Sequence, residues 1–172
     1  VAMWGAHTVA QALAGLDMSS VSSIEFEYAG PDATMVTRLS NGVKLVLYRV
    51  GGSVWEPCEF WHGACGERFD GTEGWAAAAD GYSRTEVSSP ALLLDYHKVL
   101  AEYAGRTQRQ LNHARDFFDC VRSRRRAAAN PDVMCQSMNI CLAADICGQL
   151  KRNLKLDLHR AEFAGDPEAN RL

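Results

Sequence analysis

The stretch TMVTRLSNGVKLVLYRV, residues 34–50, decides the fold. Two strand-like runs, 34–40 and 43–50, flank the pair Asn41-Gly42, which is a strong short-range signal for a β-hairpin with a type I′ turn. The second run is apolar on both faces: Val43, Leu45 and Leu47 share one, and Val46, Tyr48 and Val50 share the other. The sequence therefore predicts a sheet covered by helices on one side and by a second layer, such as another subunit, on the other.

The segments on either side of this hairpin predict further elements of both kinds. Residues 6–15 predict a short helix, because Val9, Leu13 and Leu16 recur at spacings of four and three. Residues 23–29 alternate apolar with acidic side chains, as a half-buried strand does. Glycines separate short apolar runs over residues 55–81, which predicts strands joined by tight turns.

The second half of the chain predicts helices. One is expected over 91–103, and a second follows Asn112, a plausible cap, with an apolar stripe of Ala114, Phe117, Phe118 and Val121. A third is expected over 132–152, with a stripe of Met134, Met138, Cys141, Leu142, Ile146 and Leu150. Residues 1–156 are predicted to form one domain of the α+β class, an open, mainly antiparallel sheet. Residues 157–172 are too poor in apolar side chains for a core and are expected to form an arm along its surface.

Composition excludes several classes of protein. The 172 residues include 18 Lys and Arg against 21 Asp and Glu, so no general electrostatic footprint for nucleic acid is present. Six cysteines occur without a C-x-x-C pair, which speaks against a zinc or dithiol site and favours a reducing, cytoplasmic compartment. No apolar run reaches the length of a membrane span. The chain opens on Val1, as if inside an element, and we expect further sequence, with or without a targeting segment, upstream.

Few residues stand out as chemistry-bearing on the bare sequence. His7 near a helix start fits a half-buried, hydrogen-bonded histidine as well as a catalytic one. His62, His97 and His159 have no spacing that indicates a metal site. Trp61 and Trp75 suit either a sugar pocket or a subunit interface. No G-x-G-x-x-G opens a helix, so we expect no dinucleotide to bind to this chain alone, and no G-x-S-x-G elbow indicates a hydrolase.

Four blocks of sequence carry a resemblance to a known family. They are WGAH at 4–7, FDGTEGW at 69–75, the run from His113 through FFDCVRSR at 117–124, and FAGDPEAN at 163–170. In this order they resemble the C-terminal domain of the Gfo/Idh/MocA oxidoreductases, which include glucose-fructose oxidoreductase and inositol dehydrogenase. The resemblance implies an open sheet with helices on one face and a partner subunit on the other, forming a dimer or tetramer.

The same resemblance implies that the cofactor and the substrate are bound by different domains. NAD or NADP would bind to an N-terminal Rossmann domain, which this chain lacks, and the present domain would face a sugar-like substrate. In the family an Asp-x-x-x-His pair serves proton transfer; His7 matches the histidine, but Met3 stands where the Asp is expected. His113 matches a second family histidine and is a candidate substrate contact, as Trp61 and Trp75 are, but its position at a helix start suits capping or interface packing at least as well.

Two functions follow as hypotheses. The first is the substrate-side and oligomer-forming part of an NAD(P)-dependent oxidoreductase acting on a sugar, polyol or related hydroxylated compound. The second is a stand-alone assembly or binding module that has kept the fold and lost catalysis, which Met3 and the missing nucleotide-binding sequence favour.

Overall fold

The computed structural model describes residues 2–30, 34–48, 66–79, 85–93, 98, 101–102, 113–127 and 129–172. Its helices are α1 (Ala2–Ala14), α2 (His113–Ser123) and α3 (Pro131–Leu150), and single 3-10 turns cover Pro90–Leu92 and Ala169–Arg171. Its strands are β1 (Ser23–Glu27), β2 (Met35–Leu39), β3 (Lys44–Leu47), β4 (Gly66–Gly71), β5 (Gly74–Ala79), β6 (Glu86–Val87), β7 (Leu154–Asp157) and β8 (Glu162–Phe163). Most of the helix predicted over 91–103 lies outside the described residues.

The strands form two open sheets in which every described pair is antiparallel. The larger has the order β3-β2-β1-β7-β8 and the smaller the order β4-β5-β6. The α+β class with open antiparallel sheets is therefore confirmed.

The hairpin of β2 and β3 is present, but its turn is not of type I′. The N–H of Leu39 donates to the carbonyl of Val43 at 2.8 Å, and the N–H of Gly42 donates to the carbonyl of Leu39 at 2.9 Å. These bonds enclose a three-residue loop in which only Gly42 has a positive φ, of 91°. This is a type I turn followed by a left-handed residue, the usual three-residue alternative to the predicted two-residue turn.

Helices α1 and α3 pack on one face of the larger sheet. The core between them contains Ile24, Phe26 and Ile140, each fully buried, together with Val9 and Leu13 of α1. The hairpin face that bears Val43, Leu45 and Leu47 points into this core. The expectation of helices on one side of the sheet is confirmed.

The opposite face of the larger sheet is mostly charged. Glu25 accepts a hydrogen bond from Lys155 on β7 at 2.9 Å, and Glu27 accepts one from Arg38 on β2 at 2.5 Å. Val46 lies on this face, and Tyr48 beyond it is 45% exposed. The alternation of apolar and acidic side chains over 23–29 accounts for this face, because the acidic side chains of β1 lie between basic side chains of both neighbouring strands.

Helix α3 is present where predicted, although the buried stripe differs in part from the predicted one. Asn130 caps it, accepting hydrogen bonds from the N–H groups of Asp132 and Val133. Met134 and Leu142 are 59% and 45% exposed. The buried positions are Ser137, Ile140, Cys141, Ala143 and Cys147. Small side chains therefore line much of the contact with α1 and the sheet.

The C-terminal residues complete the larger sheet. The predicted boundary at residue 156 falls inside β7, and β8 forms the sheet edge. Phe163 and Ala169 are 5% and 1% exposed and belong to the core. The block FAGDPEAN is thus bound to the domain by buried side chains as well as by strand pairing.

Candidate functional site

His7 lies on the exposed side of α1. Ala6, Val9 and Leu13 occupy the buried side of this helix, which leaves the imidazole at the surface. Nε2 of Gln11, one turn later, lies 3.2 Å from Nε2 of His7. His7 is therefore accessible to a ligand and has an amide as a neighbour on its helix.

The helix also explains what Met3 changes. Residues 3 and 7 are both within Ala2–Ala14 and are one helical turn apart along the chain. A carboxylate there would favour the charged imidazolium, whereas methionine has no charge to offer.

Trp75 is fixed in the smaller sheet by backbone and side-chain contacts. The backbone N–H of Trp75 donates to Oγ of Ser88, and the backbone N–H of Ser88 donates to the carbonyl of Trp75, both at 2.9 Å. The guanidinium carbon of Arg68 lies 4.5 Å from the indole centroid. Asp70 holds this guanidinium through two nitrogens, at 2.6 and 3.0 Å from Oδ1. The indole thus belongs to a group of three side chains, Arg68, Asp70 and Trp75.

A shallow depression lies beside this group. It has a volume of about 340 Å³, is open to solvent and is lined by Gly71, Thr72, Glu73, Gly74, Trp75, Ala76 and Leu92. Its volume is at the lower end of the range for small-molecule sites. The hydroxyl of Thr72 and the carboxylate of Glu73 can accept hydrogen bonds from a ligand, and the indole of Trp75 can contact the apolar face of that ligand.

The other predicted site residues are less fully placed. His113 begins α2, and nothing is described of its side chain; Trp61 lies outside the described residues. His7 and Trp75 lie on different elements, and their described contacts are with different neighbours.

Sequence analysis missed Arg68, although the hairpin register carried the signal. With Thr72-Glu73 as the turn, Asp70 pairs with Trp75 and Arg68 lies diagonally across from it on the same face. In this register Asp70 can hold the guanidinium of Arg68 while that group stacks on the indole of Trp75.

The block FAGDPEAN proves to be a closed loop. The side chain of Asn170 accepts from the N–H of Phe163 and donates to its carbonyl, both at 2.8 Å. Arg152 donates to both oxygens of Asp166, at 2.5 and 2.9 Å, and to Glu168 at 3.1 Å. The guanidinium and the N–H of Ala169 lower the pKa of Asp166 to about 2. These contacts indicate a structural role for this block.

The described thiols are not part of a metal or disulfide site. Cys120, Cys135, Cys141 and Cys147 are free, and no group of three or more His, Cys, Asp or Glu side chains in the described ranges could hold a metal ion. Burial raises the pKa of the Cys141 and Cys147 thiols. None of the helices in the described part is long and apolar enough to cross a bilayer.

Comparison with known proteins identifies the domain. The family model described as "Oxidoreductase family, C-terminal alpha/beta domain", of the Gfo/Idh/MocA proteins, matches residues 77–172, more than half of the chain. The match includes α2, α3 and the loop closed by Asn170, and it begins two residues after Trp75. No curated protein and no solved structure gave a match. The chain therefore belongs to the Gfo/Idh/MocA oxidoreductase family and contains its C-terminal alpha/beta domain.

Proposed function

We propose that this chain is the substrate-side and oligomer-forming part of an NAD(P)-dependent oxidoreductase that acts on a sugar, polyol or related hydroxylated compound. The observation that carries the proposal is the match of residues 77–172 to the family's C-terminal domain. A cytoplasmic location is part of the proposal, and the absence of a C-x-x-C pair among the six cysteines supports it.

Substrate contact is assigned to the depression beside Trp75 and to His7. An aromatic ring packs on the apolar face of a sugar ring, while Thr72 and Glu73 provide partners for its hydroxyl groups. His113 and Trp61 are proposed to lie on the same side of the domain. The exposed depression is suited to a ligand that a further domain covers.

His7 is proposed to take the hydroxyl proton when the carbon that bears it is oxidised, and to return it in the reverse direction. A neutral imidazole is suited to this task near neutral pH. In the structure the side-chain amide of Gln11 lies 3.2 Å from Nε2 of His7, next to the atom that would take the proton.

The cofactor is proposed to bind outside this chain. The glycine-rich turn at 71–74 joins β4 to β5 and does not lead into a helix. It therefore offers no helix N-terminus to a pyrophosphate, and the residues described here do not fit a nicotinamide dinucleotide. NAD or NADP belongs to an N-terminal Rossmann domain, where it supplies the hydride-transfer chemistry.

Self-association is proposed through the outer face of the larger sheet. Because Val43, Leu45 and Leu47 face the core, the remaining hairpin face, with Val46 and Tyr48, is the one available to a second copy. The ion pairs on β1, β2 and β7 make this interface a mixed one, with an apolar edge and a charged centre. A dimer, or a tetramer of such dimers, fits a self-complementary face.

A non-catalytic assembly module is the second candidate, and one observation favours it. Position 3 carries methionine, where the family resemblance implies an aspartate one helical turn before the histidine. Such a module would keep the fold and self-association without turnover.

Kinetics of the complete enzyme containing this domain separate the two candidates. Polyol and sugar oxidation would be measured with NAD and with NADP, for the wild type, His7→Ala and the control His159→Ala, which changes an exposed histidine of the C-terminal region. We expect His7→Ala to lower kcat about a hundredfold or more with a smaller change in KM. Equal kcat values for all three proteins would leave His7 without a catalytic role, and no turnover of any substrate by the wild type would favour the assembly module.

A titration of the present chain tests the placement of the cofactor. Calorimetry with NAD and NADP is expected to give no binding at micromolar concentration, because no helix-opening glycine turn is available. Micromolar binding of either nucleotide would contradict the proposed division between domains.

A further inference from the structure

The indole of Trp75 has a cation over one of its faces. The guanidinium carbon of Arg68 lies 4.5 Å from the ring centroid, which is within the range of a cation–π contact. A planar guanidinium stacks well on an aromatic ring because it is only weakly hydrated. Trp75 is half-buried, and 25% of the Arg68 side chain is exposed. A ligand therefore meets the indole on the side that the guanidinium leaves open.

Asp70 holds the guanidinium in this place. Nη2 of Arg68 donates to Oδ1 of Asp70 at 2.6 Å, and Nε of Arg68 donates to Oδ1 and Oδ2 at 3.0 and 3.2 Å. A contact through two nitrogens fixes the plane of the guanidinium as well as its position. In the antiparallel pair of β4 and β5, Asp70 lies directly opposite Trp75. The carboxylate and the indole therefore share one face of the hairpin.

The backbone that carries the indole is fixed as well. Trp75 and Ser88 exchange two hydrogen bonds of 2.9 Å. On the other face of the hairpin, the ring of Phe69 packs against Gly15, just after α1, so closely that a Cβ at position 15 would lie 2.6 Å from Cζ of the ring. With the backbone held in this way, the freedom that remains is rotation of the indole about its side-chain bonds. The guanidinium of Arg68 restricts this rotation.

The guanidinium is not offered to a ligand as a free charge. Of the group of three side chains, Trp75 lines the shallow depression, whereas Arg68 and Asp70 are not part of its lining. Because Arg68 is already paired with Asp70, it can act on a ligand in the depression through the indole. A ring that is held in its binding orientation loses less conformational entropy when a ligand packs on it, which strengthens binding.

We propose that Arg68 is a positioning residue for the substrate: held by Asp70, it keeps the indole of Trp75 in the orientation that packs on the apolar face of a sugar ring in the depression. This role rests on the proposed function, which supplies the substrate and the place where it binds. Arg68 contributes to substrate binding and takes no part in the proton transfer proposed for His7.

Kinetics of the complete enzyme test this role. Arg68→Met keeps an unbranched apolar stem and removes the cation, so KM for a neutral sugar such as glucose should rise roughly threefold to tenfold while kcat changes less than about twofold. Asp70→Asn keeps one uncharged acceptor and should raise KM less. The control is Arg160→Met, because Arg160 pairs with Glu162 two residues later, as Arg68 does with Asp70, but lies in the turn between β7 and β8. It should change neither kcat nor KM.

The mobility of the indole distinguishes positioning from a structural role. It is measured in the present chain by nuclear magnetic relaxation of the indole Nε1–H of Trp75, whose resonance is assigned with Trp75→Phe. We expect a lower order parameter in Arg68→Met than in the wild type, and no change in Arg160→Met. Arg68→Lys keeps the charge without the planar guanidinium and should restore part of the order.

An unchanged order parameter in Arg68→Met overturns the proposal, and so does an unchanged KM. A rise in KM confined to an acidic sugar such as glucuronate would show that the guanidinium binds the carboxylate of the ligand directly, which also overturns it. If the complete wild-type enzyme turns over no sugar or polyol, the proposed function fails by itself.

Glucose binding to the same complete protein, followed by the indole fluorescence of Trp75, then decides the role of Arg68. Weaker binding in Arg68→Met than in Arg160→Met supports the positioning role. Equal binding in the two variants, or no response of Trp75 to glucose in the wild type, overturns it.

Discussion

Replacing Asn170 by Ala removes the side chain that closes the C-terminal loop. Its amide makes two hydrogen bonds of 2.8 Å to the N–H and carbonyl of Phe163, whose ring is 5% exposed. A neutral hydrogen bond contributes about 1 kcal/mol net, so losing both should lower the free energy of unfolding by about 2 kcal/mol. In a domain of this size that corresponds to a fall in Tm of roughly 4 to 8 °C.

Urea unfolding followed by circular dichroism measures this change. Arg171→Ala is the matched control, since Arg171 is an exposed neighbour in the same 3-10 turn, and its effect should stay within about 0.5 kcal/mol. Asn170→Asp keeps an acceptor for the N–H of Phe163 but places a carboxylate against its carbonyl, and it should be no more stable than the alanine variant. A loss below about 0.5 kcal/mol for Asn170→Ala would refute the loop-closing role.

Two further predictions concern stability. The pKa of Asp166 is lowered to about 2 from an ordinary 3.8, so its contribution to stability is fully present above the ordinary value and is lost as the pH falls toward 2. The difference in free energy of unfolding between the wild type and Asp166→Asn should therefore become smaller as the pH is lowered from 3.8 toward 2. A difference that does not change with pH would contradict the ion pair with Arg152. Ile140 of α3 is fully buried in the core. In the same urea assay, Ile140→Ala should lower the free energy of unfolding by about 2 to 5 kcal/mol and Ile140→Val by about 1 kcal/mol. Equal losses for the two variants would show that the surrounding side chains close the cavity.

One prediction concerns assembly. Val46→Glu should weaken self-association in sedimentation at micromolar concentration, whereas Leu45→Glu, on the core side, should lower stability instead; a wild-type monomer would rule out the proposed sheet interface.

The elements that the sequence predicted well are those with local causes. Alternation over residues 23–29 and helical spacing over 132–152 each depend on neighbours within a few positions, and both elements are present. The turn type at Asn41-Gly42 was wrong because the choice between two and three loop residues depends on the register of the whole hairpin. On α3 the predicted stripe is correct for Cys141, which is buried, and for Met138, Ile146 and Leu150, which pack against the core. It is wrong for Met134 and Leu142, which are exposed.

Fewer contacts of the candidate site and of the C-terminal loop could be predicted from the sequence. Arg152 and Asp166 are separated along the chain by two strands, β7 and β8, and the turn between them, so their pairing follows from the packing of the C-terminal loop. Phe117 and Phe118 have a regular apolar spacing, which is typical of a buried face, but both are 59% exposed, and the buried positions of this helix are Asp116 and Cys120. A family resemblance brought His7 and Trp75 forward, and the structure adds their immediate neighbours.

The charged rows on the outer face of the larger sheet also determine how its strands align during folding. Glu25 lies opposite Lys155, and Ile24 opposite Leu156, on alternating sides. A shift of β7 by one position along β1 would turn its lysine toward the helices and its leucines toward water, because side chains alternate with a period of two. A shifted register would therefore be unfavourable on the core face and on the outer face of the sheet at the same time, which leaves one favourable register for β1 and β7.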